Sequence, residues 1–301
     1  MQALKHSYSK PPTAPPSTVN AKSAPNFFTS KRSALLPISS SGHLAVAQNL
    51  FGLTDLPLLF DVLLHLATLL AVCIYFWKKI WALLKCLGRW IARKPMPENQ
   101  ISDDLLCGTD ERGRKAIIAI ILSTLVTGVM GIVTSKLIPE MPIKVTCAGF
   151  VFTALLLIVS AIIGKKRAEK ANASDNEKGI TWIQALAIGF MQGIGTLPGV
   201  SRSGSTISGA MFSGLDRKIA GDYSFIISIP AILGAFILEV KDLDEVSGSI
   251  GLAPIIVGCT AAFIVGYLSL ALLMKMIRKG KLQWFAAYLI PLGILGMIFL
   301  H

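Results

Sequence analysis

The sequence predicts an all-α polytopic membrane protein, with about six transmembrane helices plus two re-entrant helical hairpins arranged as an inverted repeat. Three observations carry this expectation. Of 301 residues, 53% are hydrophobic and only 15% charged, with a mean hydropathy of +0.63, where soluble chains carry about 45–50% apolar and about 25% charged residues. The Lys and Arg residues segregate into alternating loops. Two further apolar stretches are broken by Pro, Gly and clustered Ser. The composition excludes a soluble enzyme and a disordered chain, which needs low hydrophobicity. The net charge of +12 reads as loop charge on one membrane face, not as a nucleic-acid footprint. Five scattered cysteines without a CxxC spacing predict neither a disulfide framework nor a zinc site.

A bilayer core needs roughly 20 apolar helical residues. The stretches 60–77, 116–134, 145–164, 223–240, 250–274 and 284–300 meet or approach that length. The connecting segments 78–115, 165–180, 215–222 and 275–281 hold 20 of the 29 Lys and Arg, and segments 135–144 and 241–249 hold three. The first set is therefore expected in the cytoplasm, which puts both termini outside. Phe76, Trp77, Trp81, Trp90 and Trp284 fall near the expected boundaries, where interface anchoring accounts for them.

Segments 35–52 and 181–214 are apolar but interrupted. Irregular backbone at membrane depth persists only where protein or a water-filled cavity satisfies it. Each segment is expected to enter and leave on one side, the first from outside and the second from inside. They share a pattern: Leu36-Pro37-Ile38-Ser39-Ser40-Ser41-Gly42-His43 in the first, Leu197-Pro198-Gly199-Val200-Ser201-Arg202-Ser203-Gly204 in the second. Each precedes three expected spans. The repeat halves are then about 35–164 and 181–301, within a membrane domain 35–301. Inverted repeats with broken helices meeting near the midplane are a common way to build a substrate site.

Arg202 is the sharpest candidate, because a cation inside an apolar segment is costly and marks a functional site by default. Gly199, Ser201, Ser203, Gly204, Ser205 and Thr206 surround it with hydroxyls and backbone N–H groups. A Gly/Ser-rich turn opening a helix cradles anions, and the planar guanidinium suits phosphate oxygens. The competing reading is an arginine that snorkels to the surface, with glycines for close helix packing. His43, beside Ser39, Ser40 and Ser41, can act as base, acid or nucleophile, or bond a nearby carbonyl while the serines cap a helix. Gln192 is either a polar ligand or inter-helix glue. Asp61 and His65 share a helix face. Asp61 could hold a metal or orient His43, and His65 reads as a satisfied interfacial histidine.

Three ordered motifs now carry a resemblance. They are the 36–43 segment quoted above, then Phe60-Asp61-Val62-Leu63-Leu64-His65-Leu66-Ala67-Thr68-Leu69, then Pro198-Gly199-Val200-Ser201-Arg202-Ser203-Gly204-Ser205-Thr206-Ile207-Ser208-Gly209. Together they resemble the undecaprenyl-diphosphate phosphatase family, bacterial membrane enzymes of the type linked to bacitracin resistance. The resemblance runs from about residue 35 to the C-terminus. It implies hydrolysis of undecaprenyl diphosphate to the monophosphate, recycling the lipid carrier for peptidoglycan synthesis. It also implies a divalent cation, Mg²⁺ or Ca²⁺, a multi-pass protein of the bacterial plasma (inner) membrane, and a site open to the periplasmic side. By the same resemblance Ser40 and His43 match the nucleophile or proton-transfer candidates. Arg202 matches the phosphate-binding arginine, with Ser201, Ser203 and Thr206 lining its pocket. Expected partners are the polyprenyl diphosphate and membrane lipids, no nucleic acid, with a homodimer left open.

One departure stands out. The family has a glutamate-rich helix just before the Leu-Pro, with acids roughly three and seven residues ahead of that proline. Here those positions are Ala34 and Ser30, and no Asp or Glu precedes Asp55. Residues 1–34 include Pro11-Pro12-Thr13-Ala14-Pro15-Pro16 and read as disordered or linker-like, or as the product of a frame or start-site error. Asp61 then remains as the acid nearest the motifs. Two alternatives stay open: a lipid-phosphate or anion transporter built on the same inverted repeat, and a catalytically inactive family member.

Overall fold

The computed structural model describes residues 58–95, 104, 106–137, 142–170, 179–240 and 252–300. The segment 1–34, the hairpin 35–52 and, with it, Ser39, Ser40, Ser41 and His43 lie outside the described residues, so the first hairpin and its chemistry stay as expectations. Among the described residues all regular structure is helical: α1 (Leu58–Tyr75), α2 (Trp77–Ile91), α3 (Asp110–Leu137), α4 (Ile143–Lys170), α5 (Trp182–Ile194), α6 (Arg202–Phe212), α7 (Arg217–Val240), α8 (Leu252–Arg278) and α9 (Gln283–Phe299).

Helices α3, α4, α7 and α8 are long and apolar enough to cross a membrane, and a fifth crossing arises if Leu63–Tyr75 and Trp77–Ile91 count as one bent span. Their large apolar side chains point outward. Leu125 and Val129 of α3 and Val265 and Leu268 of α8 are each 61–62% exposed. A soluble monomer rarely shows apolar patches on this scale, whereas lipid tails are as apolar as these side chains. The protein is therefore a multi-pass membrane protein. The last expected span, 284–300, forms the shorter α9, of 17 residues with Pro291 inside it.

The segment 78–115, expected as a loop, starts instead with a helix. The chain bends by 77° between α1 and α2. Apolar residues recur every three or four positions through α2, so it has two faces. Leu83 and Cys86 are buried, while Trp77, Trp81, Leu84 and Ile91 form an exposed stripe. Its basic residues tie the inner face down. Lys79 Nζ lies 2.6 Å from Asp104 Oδ2 and 2.9 Å from Asp222 Oδ2, and Arg89 Nη2 lies 3.1 Å from Asp110 Oδ1. Burial alone would raise the Asp104 carboxyl, but the Lys79 ammonium and the N–H groups of Leu106 and Cys107 outweigh it and hold the carboxyl at about 2.

Helix α4 packs along α9, α3 along α5, and α1 along α8, while α6 sits against α4, α5 and α7. Small residues permit these approaches. A Cβ on Gly189 of α5 would meet the Ser123 backbone of α3 at 2.7 Å, and one on Gly293 of α9 would meet the Cys147 carbonyl of α4 at 2.8 Å. Hydroxyls then lock the α3, α5 and α7 contact. Ser123 Oγ donates to the Ala185 carbonyl at 2.7 Å and lies 2.8 Å from Tyr223 Oη. Thr127 Oγ1 lies 3.1 Å from the Gly189 carbonyl.

Candidate active site

Helices α5 and α6 have 13 and 11 residues, so they extend about 20 and 16 Å at 1.5 Å per residue, against about 30 Å of hydrocarbon core. Neither arm crosses alone. Thr181 starts α5 with a capping box closed by Gln184, the arrangement that satisfies two otherwise orphaned N–H groups. The same Gln184 donates from Nε2 to the Ser213 carbonyl at 3.0 Å, so the start of one arm meets the end of the other. Arg167 of α4 donates to the Met211 carbonyl at 2.9 Å and places its cation at the negative end of α6.

The turn between the arms is Leu197-Pro198-Gly199-Val200. The Val200 N–H donates to the Leu197 carbonyl at 3.1 Å, and Gly199 has a φ of +80°. Proline second and a left-handed glycine third are the residues a type II turn requires. The turn lies hard against α4. A side chain on Gly199 would run into the Thr146 carbonyl, and one on Gly149 would meet Gly199 at 2.6 Å. The Ser201 N–H donates to Thr153 Oγ1 at 2.9 Å, and Ser201 Oγ accepts the Gly204 N–H at 3.1 Å as the N-cap of α6. Arg202 is thus the first residue of a capped helix whose start is fixed to α4.

That fixation assigns the expected cradle residues to particular tasks. Gly199 shapes the turn, Ser201 caps the helix, a Cβ on Gly204 would meet Ser201 and Thr153 within 3.2 Å, and Thr206 Oγ1 donates to the Arg202 carbonyl at 2.6 Å. Ser203 Oγ lies 3.5 Å from Ser201 Oγ. Gln192 is fully buried, and neither end of its amide has a hydrogen-bond partner among the described residues.

Arg202 differs from its neighbours in facing open space. It lines a cavity of about 400 Å³ with His65, Thr124, Thr127 and Thr196, enclosed by apolar side chains such as Leu66, Leu69, Ile132, Ile232 and Phe236. Among the described residues no group is hydrogen-bonded to its guanidinium. A planar fork without a partner among the described residues, in an apolar enclosure with hydroxyls nearby, has the chemistry to bind an anion with several oxygens. His65, expected as a satisfied interfacial histidine, stands on the wall of this cavity. Asp61 lies one helical turn earlier on α1, and its side chain falls outside the described residues. Thr124, Thr127 and Thr196 were not singled out from the sequence. Thr124 and Thr127 do leave a signal there, since they sit three apart in an apolar span and share a face with Gly128 and Gly131.

Hard divalent cations take oxygen ligands, chiefly carboxylates and phosphates. No group of three or more His, Cys, Asp or Glu side chains converges among the described residues.

The helices define an integral membrane protein, and Arg202 stands in a largely apolar cavity within it. The chain belongs to the family described as bacitracin resistance protein BacA, whose family model matches residues 33–295. An undecaprenyl-diphosphatase of Treponema denticola is 48% identical over 259 residues, 86% of this chain and 89% of that one. Proteins of the same description from Desulfatibacillum aliphaticivorans and Methanosphaera stadtmanae are 38% and 36% identical, over 84% and 88% of this chain and 88% and 92% of theirs.

Proposed function

We propose that this protein is an undecaprenyl-diphosphatase, which hydrolyses undecaprenyl diphosphate to undecaprenyl phosphate and inorganic phosphate at a bacterial plasma membrane. The observation that carries the reading is Arg202, unpartnered among the described residues in an apolar cavity of a chain whose relatives carry that description. The substrate has the same two parts as the cavity, a polyanionic head and a hydrocarbon tail. Water cleaves the phosphoric anhydride bond, and charge builds on the phosphoryl oxygens. The guanidinium binds and orients those oxygens and stabilises the developing charge. His65 adds an imidazole to the same enclosure. Ser40 and His43 are the nucleophile and proton-transfer candidates of this reading, with Ser39 and Ser41 beside them.

The six-span arrangement with two re-entrant hairpins draws support from the short arms of α5 and α6 and from their joined ends. Its inverted symmetry would pair α1 with α7, α3 with α8 and α4 with α9. The contacts of α4 with α9 and of α1 with α7 are then self-related, and the contact of α1 with α8 matches that of α3 with α7. The sidedness is also self-consistent. If the basic loops are cytoplasmic, α1 runs inward while α3 and α7 run outward. The cavity walls at residues 124–132 and 230–236 then fall at mid-depth and in the outer half, with residues 65–69 of α1 at mid-depth, and a hairpin rising from the cytoplasmic side lifts Arg202 to meet them. This arrangement opens the site to the periplasm.

The test is phosphate release from undecaprenyl diphosphate by the purified full chain in detergent, with and without EDTA. EDTA-sensitive release supports a divalent cation, with Asp61 as the first ligand to replace. EDTA-resistant release removes the metal from the reading. Movement of lipid diphosphate across vesicles without phosphate release would make the protein a transporter instead. Its mass in detergent decides whether it is a homodimer.

A further inference from the structure

The cavity is bordered by two glycines that helix packing does not explain. On α5, a Cβ at Gly189 would meet the Ser123 backbone at 2.7 Å, and one at Gly193 would meet Met130 at 2.5 Å; both are sites where helices touch. Gly128 on α3 and Gly234 on α7 line the cavity, yet among the described residues a Cβ at either would meet nothing within 4 Å. Both are exposed and sit among lipid-facing side chains. Leu125 and Val129, each 61% exposed, flank the first, and Leu233 and Ile237, 39% and 59% exposed, flank the second. Glycine inside a helix is less favourable than alanine, and no close contact offsets that here. The two glycines line the same cavity as Arg202 and are themselves exposed at the outer surface. A cavity of about 400 Å³ holds a drug-sized ligand, enough for a diphosphate and the first few isoprene units. An undecaprenyl chain is far longer and has to leave.

We propose that the polyprenyl tail leaves the Arg202 cavity sideways between α3 and α7, across Gly128 and Gly234, whose missing side chains keep that exit open. The proposal rests on the diphosphatase reading and adds to it where the tail runs. A lateral exit lets the tail stay in hydrocarbon while the diphosphate meets the guanidinium, so no isoprene unit has to cross an aqueous layer. It also separates the two ends of substrate recognition. Arg202 sets affinity for the head, and the glycines decide how long a tail can be attached to it.

The experiment compares undecaprenyl diphosphate with farnesyl diphosphate, whose short tail ends within the cavity, in the full-length Gly128→Leu/Gly234→Leu variant. Neither new side chain meets a described residue at its Cβ, so the melting temperature in detergent is expected to hold, and Gly128→Ala/Gly234→Ala serves as a milder version. The kcat/KM for undecaprenyl diphosphate is expected to fall about tenfold or more beyond any loss on farnesyl diphosphate, a discrimination within reach of steric misfit in an apolar site. Unchanged undecaprenyl turnover in a stably folded variant, or equal loss on both substrates, overturns the lateral exit. So does a change from dimer to monomer with both turnovers intact, which assigns the glycines to a contact between copies. If the unsubstituted protein releases phosphate from neither substrate, the diphosphatase reading itself fails and the exit falls with it.

Discussion

The Ser201 N–H donates to the Thr153 hydroxyl across 2.9 Å, and through this bond α4 sets where the helix carrying Arg202 begins. Thr153 in turn donates to the Gly149 carbonyl at 2.9 Å, so one buried hydroxyl serves both partners. Replacing Thr153 with the isosteric valine leaves the Ser201 N–H unsatisfied in the interior, at a cost of about 1–3 kcal/mol. We expect Thr153→Val to lower the melting temperature in detergent and to reduce phosphate release, and Thr153→Ser to restore both. A valine variant as stable and active as the parent would show that the turn is held by the packing of Gly149 and Gly199 alone.

The Lys79–Asp222 pair ties the bent helix α2 to the start of α7. The Asp222 side chain is only 2% exposed, and its second cation, Arg278, stands at 3.8 Å. Removing one member of such a pair strands the other. Lys79→Met is expected to destabilise the protein by about 3 kcal/mol, and Lys79→Met/Asp222→Asn to recover most of that loss. Thermal unfolding of the single and double variants measures the coupling, and additive losses would mean that the two charges act independently.

Sidedness follows from the distribution of Lys and Arg. In a cysteine-free background, a cysteine at Ser247 is expected to react with an impermeant thiol reagent applied from the periplasmic side, and one at Ser102 only after the membrane is opened. Labelling at Ser102 and not at Ser247 inverts the topology and turns the Arg202 cavity toward the cytoplasm.

The turn of the second hairpin was legible in the sequence because its determinants are local. Leu-Pro-Gly-Val specifies the turn, Ser201 caps the next helix, and Arg202 in an apolar run announces a site. The long outward-facing spans were equally plain from composition. Helix α2 was not, because its lysines and arginines count toward a loop when only charge is tallied. Their pairing with Asp104, Asp110 and Asp222 comes from distant segments. The cavity walls were hidden for a related reason. His65 on α1, Thr124 and Thr127 on α3 and Thr196 after α5 are ordinary polar residues far apart in the chain, and only the way these segments pack brings them to Arg202. The serines and glycines beside Arg202 were the reverse case. Their sequence suggests a phosphate cradle, and the structure engages Ser201, Gly204 and Thr206 in building the helix start that presents the guanidinium.

The central claim is that the Arg202 guanidinium binds the diphosphate, and Arg202→Lys tests it most directly because it keeps the charge and removes the planar fork. The measurement is kcat/KM for phosphate release from undecaprenyl diphosphate, taken with the melting temperature in the same detergent. With the melting temperature unchanged, kcat/KM is expected to fall by about 10²-fold or more, the scale of losing a positioned group that stabilises transition-state charge. Parental kcat/KM in the lysine variant would contradict the account and place the substrate's phosphates elsewhere in the protein.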